Sequence, residues 1–202
     1  LVDPKMVELS AYRDIPHLMA PVVTDAKKAA EVLTWLTSHM DRRYEWLGAT
    51  GVRQISAYNK LVPAEARKTL LETGHPDAPF PMPHVVLVID EVSDLMLVAA
   101  KEVETAIARL AQKARAVGIH VVLATQRPSA DVVTGIIKAN LTCRIAFQVT
   151  SRVNSQVILD QTGAEDLVGR GDMLYLPPRA GGVVRAQGTY VSDEELRRLT
   201  DH

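Results

Sequence analysis

An α/β fold with a mainly parallel sheet, helices on both of its faces and a β-hairpin near the C-terminus is what this 202-residue sequence predicts. Two observations carry that expectation. Short apolar runs rich in β-branched residues, at 84–90 and 119–125, alternate with longer segments of helical periodicity, the pattern of parallel strands joined by crossover helices. Near the end, GDMLYLPP and VVRAQGTYV flank RAGG, which reads as two strands and their turn.

Taken in order, residues 1–3 read as the end of a strand that Pro4 stops. Thr24 and Asp25 start a helix, and Ala29, Val32, Leu33, Leu36, Met40, Tyr44 and Leu47 recur at helical spacing over 25–48. A weaker helix spans 58–73. The segment 74–83, GHPDAPFPMP, holds four prolines and reads as an irregular surface loop. After the strand 84–90, a helix over 98–117 turns Val103, Ile107, Leu110, Ala114 and Val117 inward and stops at Gly118. The strand 119–125 follows, then a helical SADVVTGIIKAN, a third strand at 143–149 and a short helix over 151–161. SDEELRRL closes the chain, with Glu195 completing a capping box.

Composition narrows the class. With 47% apolar and 23% charged residues, the chain is an ordinary globular one, long enough for one sizeable domain. A net charge of −1 means that any nucleic-acid contact must come from a local patch. The single cysteine excludes an internal disulfide and a cysteine-based metal site, and its apolar strand suggests a buried structural thiol. The six histidines show no metal-ligand spacing, and no apolar run approaches a membrane span. The opening LVDPK has no Met and suits a piece of a longer protein.

The chemistry concentrates in PHVVLVIDEVSDL, residues 83–95. Asp90 and Glu91 follow five apolar residues and so fall at the carboxyl end of a strand, the end that lines the ligand crevice of open α/β sheets. Two readings fit. One is a nucleotide site, with Asp90 holding Mg²⁺ and Glu91 polarising the attacking water; the other is a solvated acidic turn. The strand 119–125 ends in Thr125, Gln126 and Arg127. If it lies beside the acidic strand, Gln126 can bond both a phosphate oxygen and a water, as a γ-phosphate sensor would. Otherwise it is a polar strand end leading into Pro128.

The blocks LVDPKMVELSAYRDIPHL, PVVTDAKKAA, MDRRYEWLGATGVR, VLVIDEVSDLM, IARLAQKARAVGIHVVLATQRPSADVVTGIIKAN and ILDQTGAEDLVGRGDMLYLPP together resemble the motor of the FtsK/SpoIIIE family of bacterial double-stranded-DNA translocases. The resemblance runs in order over nearly the whole chain. It implies a RecA-like P-loop NTPase fold over 1–202, present in part, with 74–83 as a loop within it. It further implies a cytoplasmic ATP- and Mg²⁺-dependent motor that forms a homo-oligomeric, hexameric ring around double-stranded DNA during chromosome segregation and cell division. Any inner-membrane anchor would lie in other parts of the parent protein. By this resemblance Asp90 is the Walker B aspartate, Glu91 the water-activating glutamate and Gln126 the sensor, while Arg115 is the arginine supplied to a neighbour's nucleotide. Arg127, Lys138, Arg152 and Gln156 fall on loops facing DNA, where cations neutralise phosphates without reading sequence. On charge and position alone, Arg115 reads rather as a basic residue favoured by a helix C-terminus, and each of the four others as an ordinary polar residue facing solvent.

The sequence departs from the family in two places. TSRVNSQVILD has Asn154 and Gln156 where Asp and Arg are expected, so one charge-assisted phosphate bond is lost. No glycine is followed by lysine, so the G-x-x-x-x-G-K-[ST] loop that cradles phosphates occurs nowhere in these residues. In the family that loop lies a few dozen residues before VDPK, and a winged-helix module follows the motor. The 202 residues by themselves are therefore expected to be inactive as an ATPase. Two rival functions share the architecture: a non-catalytic assembly or DNA-binding module, and a coupling ATPase of a conjugation or secretion system.

Overall fold

The computed structural model describes residues 1–178 and 181–201. Twelve regular elements follow the chain: α1 (Ala26–Ala49), α2 (Ile55–Tyr58), α3 (Pro63–Glu72), β1 (Val85–Ile89), α4 (Val92–Lys113), β2 (Ile119–Leu123), α5 (Gly135–Asn140), β3 (Arg144–Phe147), α6 (Arg152–Leu159), β4 (Asp172–Leu176), β5 (Val184–Gln187) and α7 (Asp193–Thr200). β1 and β2 pair in parallel, Val85 opposite Ile119 through Ile89 opposite Leu123. Val2 extends this sheet on the other side of β1, bridging in parallel to both Ile89 and Val23. The expected strand end at 1–3 is therefore part of the parallel sheet.

One core joins this sheet to α1 and α4. Leu33, Leu36, Met40 and Leu47 from α1, Val103, Ile107 and Leu110 from α4, and Val85, Leu87, Ile89 and Ile119 from the strands are all buried in it. Asp25 caps α1 by accepting from the Lys28 amide at 2.9 Å, which satisfies one of the free donors of the first turn. The far end of α1 is tied to the end of α4. The Arg43 guanidinium, 1% exposed, donates from Nη1 to the Val117 carbonyl at 2.8 Å and from Nε to His39 Nε2 at 3.0 Å. The Tyr44 hydroxyl donates to the Lys113 carbonyl at 2.7 Å. These carbonyls lie in the final turn of α4 and the 3₁₀ turn Ala114–Val117 after it, where helical partners run out. Gly118 then turns the chain into β2 with φ 72°, a left-handed conformation that favours glycine, and a Cβ there would stand 2.4 Å from Ile55 Cδ1, so that side chain would have to shift.

Several expectations are corrected. The helix after β1 starts at Val92, directly behind the acidic pair, and the expected start at 98 coincides with a kink at Ala99, whose φ of −149° and ψ of 53° are not helical. The segment 58–73 divides into α2 and α3, because Pro63 opens a new first turn where its missing N–H costs nothing. Only 135–140 of SADVVTGIIKAN is helical, started by the Thr134 hydroxyl. The loop 74–83 does not stay on the surface: Met82 is buried, its amide and carbonyl both bonded to the Asn59 side chain. β1 is not buried on both faces, since Val86 is 56% exposed and Val122, on the same outward face of β2, is 50% exposed. An unbroken apolar run cannot say which of its faces is covered.

The third strand also finds a different partner. β3 pairs antiparallel with β4, and β4 with β5, in a separate three-stranded sheet. Its small core is Ala146, Leu159, Ala164 and Leu167. The chain leaves β3 through α6 and doubles back, so its next strand arrives running the other way. Cys143 precedes β3 and is exposed, with Sγ 3.8 Å from the Tyr175 hydroxyl; it is not a buried thiol. The hairpin strands β4 and β5 are as expected, while Arg179 and Ala180 of RAGG lie outside the described residues. The capping box at Ser192 and Glu195 is present. No helix among the described residues is long and apolar enough to cross a membrane.

Candidate functional site

Three neighbouring strand ends build the site. The Asp90 amide donates to the Val2 carbonyl at 3.0 Å, which sets Asp3 beside Asp90. On the other side the ladder continues past the strands: the Ala124 amide donates to Ile89 and the Val92 amide to Ala124. That register places Thr125 and Gln126 against Glu91. Asp3, Asp90, Glu91, Thr125 and Gln126 thus stand in one row at the carboxyl edge of the parallel sheet, where such sheets bind ligands.

The two members of the acidic pair differ sharply. Glu91 is fully buried and accepts four hydrogen bonds. Oε1 receives the Ser93 hydroxyl at 2.8 Å and the Thr125 hydroxyl; Oε2 receives the Gln126 amide at 3.1 Å and the Lys5 ammonium at 3.2 Å. Burial works against its ionisation, but the bonds from Thr125, Ser93, Gln126 and Lys5 outweigh it and hold the carboxyl at about 2. Asp90 has the opposite surroundings. Its Oδ2 is buried with no hydrogen-bond partner among the described residues, and so is Oδ1 of Asp3. Burial first, then the charges of Asp3, Glu8 and Glu91, raise its pKa against the opposing pull of Lys5.

An orphaned carboxylate oxygen in a field of acids suits a divalent cation. Among the described residues no three acidic, histidine or cysteine side chains converge on one point. The orphaned Asp90 oxygen fits Mg²⁺, which takes one or two carboxylates and fills its remaining positions with water and phosphate oxygens.

Gln126 is exposed at the mouth of this row, and Arg127 follows it, also exposed. Arg115 is exposed too, but it stands elsewhere. It lies in the 3₁₀ turn before β2, whereas Asp90 and Gln126 follow the far ends of β1 and β2. The length of β2, about 17 Å at roughly 3.3 Å per residue, separates the two edges. The structure therefore does not bring Arg115 to the acidic pair of its own chain. Lys138 on α5 pairs with Asp160 at 2.7 Å, an acid that Arg144 also holds. Arg152 opens α6 with an exposed side chain 3.4 Å from Glu165, and Gln156 lies exposed one turn later on the same helix. Lys138, Arg152 and Gln156 thus border α6, two of them already facing an acid.

Lys5 and Asp3 were not among the site residues expected from sequence. The signal is local: an Asp-Pro-Lys placed where a strand ends. Only its pairing beside β1 turns that signal into a carboxylate next to Asp90 and an ammonium on Glu91.

Comparison with known proteins converges on one family. The model described as "FtsK/SpoIIIE family" matches residues 1–130. The "DNA translocase FtsK 2" of Ralstonia nicotianae is 54% identical over 209 residues, covering 100% of this chain and 27% of that protein. The "DNA translocase SpoIIIE" of Bacillus subtilis is 50% identical over 202 residues, covering 100% and 25%. The chain thus spans about a quarter of the length of these relatives. Among solved structures, the pCW3 conjugation coupling protein TcpA, in a monomer form with ATPγS, superposes with a TM-score of 0.75 at 26% identity, covering 96% of this chain and 52% of that one.

Proposed function

Because the chain belongs to the FtsK/SpoIIIE family, we propose that it is the Walker B, sensor and DNA-facing portion of a motor that hydrolyses ATP to move double-stranded DNA during chromosome segregation and cell division. The observation that carries this reading is the unequal acidic pair at the carboxyl end of β1. Asp90 has a free carboxylate oxygen in an acidic field, suited to Mg²⁺, which when bound would neutralise charge on the phosphates. Glu91 is held ionised beside it, as a base must be. Gln126 stands within the same row to sense the γ-phosphate. Arg115, remote from its own acids, is placed to serve a second copy in a ring, which would be hexameric. Arg127, Lys138, Arg152 and Gln156 contact DNA phosphates; Lys138 must exchange Asp160 for a phosphate oxygen to do so. The motor works in the cytoplasm, and any membrane anchor belongs to other parts of the parent protein.

A coupling ATPase for conjugation is the second reading, favoured by the likeness to TcpA. The identities of 50% and 54% to proteins named DNA translocases weigh more than 26% to a coupling protein. The decisive test separates a motor from a non-catalytic module. In the parent chain carrying its P-loop, Glu91→Gln is expected to retain nucleotide and DNA binding while turnover falls by at least about a hundredfold. Turnover within a fewfold of the unaltered protein would remove Glu91 from the reaction.

A further inference from the structure

Glu91 is saturated as it stands. An ionised carboxylate offers about four lone-pair sites, and here Ser93, Thr125, Gln126 and Lys5 occupy them. A base that takes a proton from water needs one of those sites free. The four donors are not equally fixed. Ser93 is 1% exposed in the first turn of α4. The Gln126 donor is a backbone amide, and Thr125 is anchored by the ladder through Ala124 and accepts in turn from the Arg127 amide at 3.0 Å. Lys5 instead reaches Glu91 from the turn after Pro4, with a side chain 35% exposed and a flexible stem that can return its ammonium to water.

We propose that Lys5 is a positioning residue for hydrolysis: it holds Glu91 in a saturated, resting arrangement, and its departure opens the lone pair on which Glu91 receives the proton of the attacking water. The inference rests on the reading of Glu91 as the base. In the step it controls, the water oxygen bonds to the γ-phosphorus and the bridging P–O bond breaks with its electron pair going to ADP. The water proton goes to Oε2 of Glu91. Thr125 and Ser93 stay on Oε1 and keep the carboxylate aimed, so orientation survives the loss of Lys5. Glu91 is buried, but three other donors remain on it when Lys5 leaves and the ammonium returns to water, so opening strands no unbonded carboxylate and the pair is a brake on turnover rather than a lock.

The test compares Lys5→Met, Lys5→Ala and Lys5→Arg in the parent chain carrying its P-loop, by steady-state ATP turnover with and without long duplex DNA. Lys5→Met is expected to raise the DNA-free kcat about fivefold with KM for ATP unchanged, so that stimulation by DNA shrinks. Lys5→Arg, which keeps a charged donor, is expected to restore the low DNA-free rate. Should Lys5→Met fail to fold, Lys5→Ala carries the same comparison, since alanine likewise offers Glu91 no donor. A DNA-free kcat that is unchanged or lower in a folded variant without a donor at position 5 overturns the inference. Glu91→Gln run alongside separates the two claims. If it is inactive while Lys5 variants show no rise, only the role of Lys5 falls; if it remains active, the reading of Glu91 falls and takes this inference with it.

Discussion

Arg43 shows how a single residue sets the acid sensitivity of its surroundings. Its buried guanidinium donates to His39 Nε2, so that nitrogen must carry a lone pair and the ring must be neutral. The ring also stacks on Trp35 at 5.0 Å and meets the edge of Trp46. Burial, then the charges of Arg43 and Arg42, push the His39 pKa down. The sign follows from proton counting: below the ordinary value of 6.5 the unfolded chain takes up a proton that folded His39 resists. Stability is therefore expected to decline as pH falls from about 6.5 towards the depressed folded value. Thermal unfolding across that range, compared with His39→Gln, checks it: the variant should show a flatter profile, and parallel profiles would acquit His39. None of this was legible in MDRRYEWL, where Arg43 sits among charged neighbours and looks like surface. Asp90 and Glu91 were legible because an apolar run ending in two acids is a linear pattern. The four donors on Glu91 were not, since they come from three segments joined only by sheet pairing.

At the scale of elements, the sequence placed the strands and the longest helix well, because their periodicity is long and unbroken. α1 runs from Ala26 to Ala49 against an expected 25–48. It misjudged α4, because EVSDLM begins a helix in which buried Ser93 serves Glu91 and so breaks the apolar face. Pairing direction was the other gap: RIAF holds no information about whether its neighbour runs parallel or antiparallel. What α1 does for α4 is a matter of carbonyls. Arg43 and Tyr44 together hold the turn that presents Arg115. Arg43→Ala strands the buried Val117 carbonyl, which costs about 1–3 kcal/mol before any cavity is counted. Tyr44→Phe removes a more exposed bond and is expected to cost about 1 kcal/mol. Denaturant midpoints of the two variants measure the difference. Equal losses would show that the Val117 carbonyl finds water when Arg43 is removed.

At the scale of the whole molecule, the residues that the proposed function uses stand at two opposite edges of the parallel sheet. Its carboxyl edge carries Asp90, Glu91 and Gln126, and its opposite edge carries Arg115. No bending of a packed sheet brings both to one nucleotide, so under the proposed function the arginine must act on a neighbouring copy. Head-to-tail contact of this kind, repeated with a rotation that closes, makes a ring. A mixing experiment tests it directly. In the parent chain, Arg115→Ala leaves each subunit with an intact acidic edge and no arginine for its neighbour; Glu91→Gln leaves the reverse. Each alone is expected to be inactive, the arginine being worth about a thousandfold or more in comparable sites. Combined in equal amounts, roughly a quarter of randomly formed interfaces join an intact acidic edge to an intact arginine, so hydrolysis should return to about that fraction. Such recovery cannot arise if Arg115 only stabilises its own helix end, because then neither partner supplies what the other lacks. A mixture as inactive as its components would return Arg115 to that structural role and leave the two edges of the sheet unconnected.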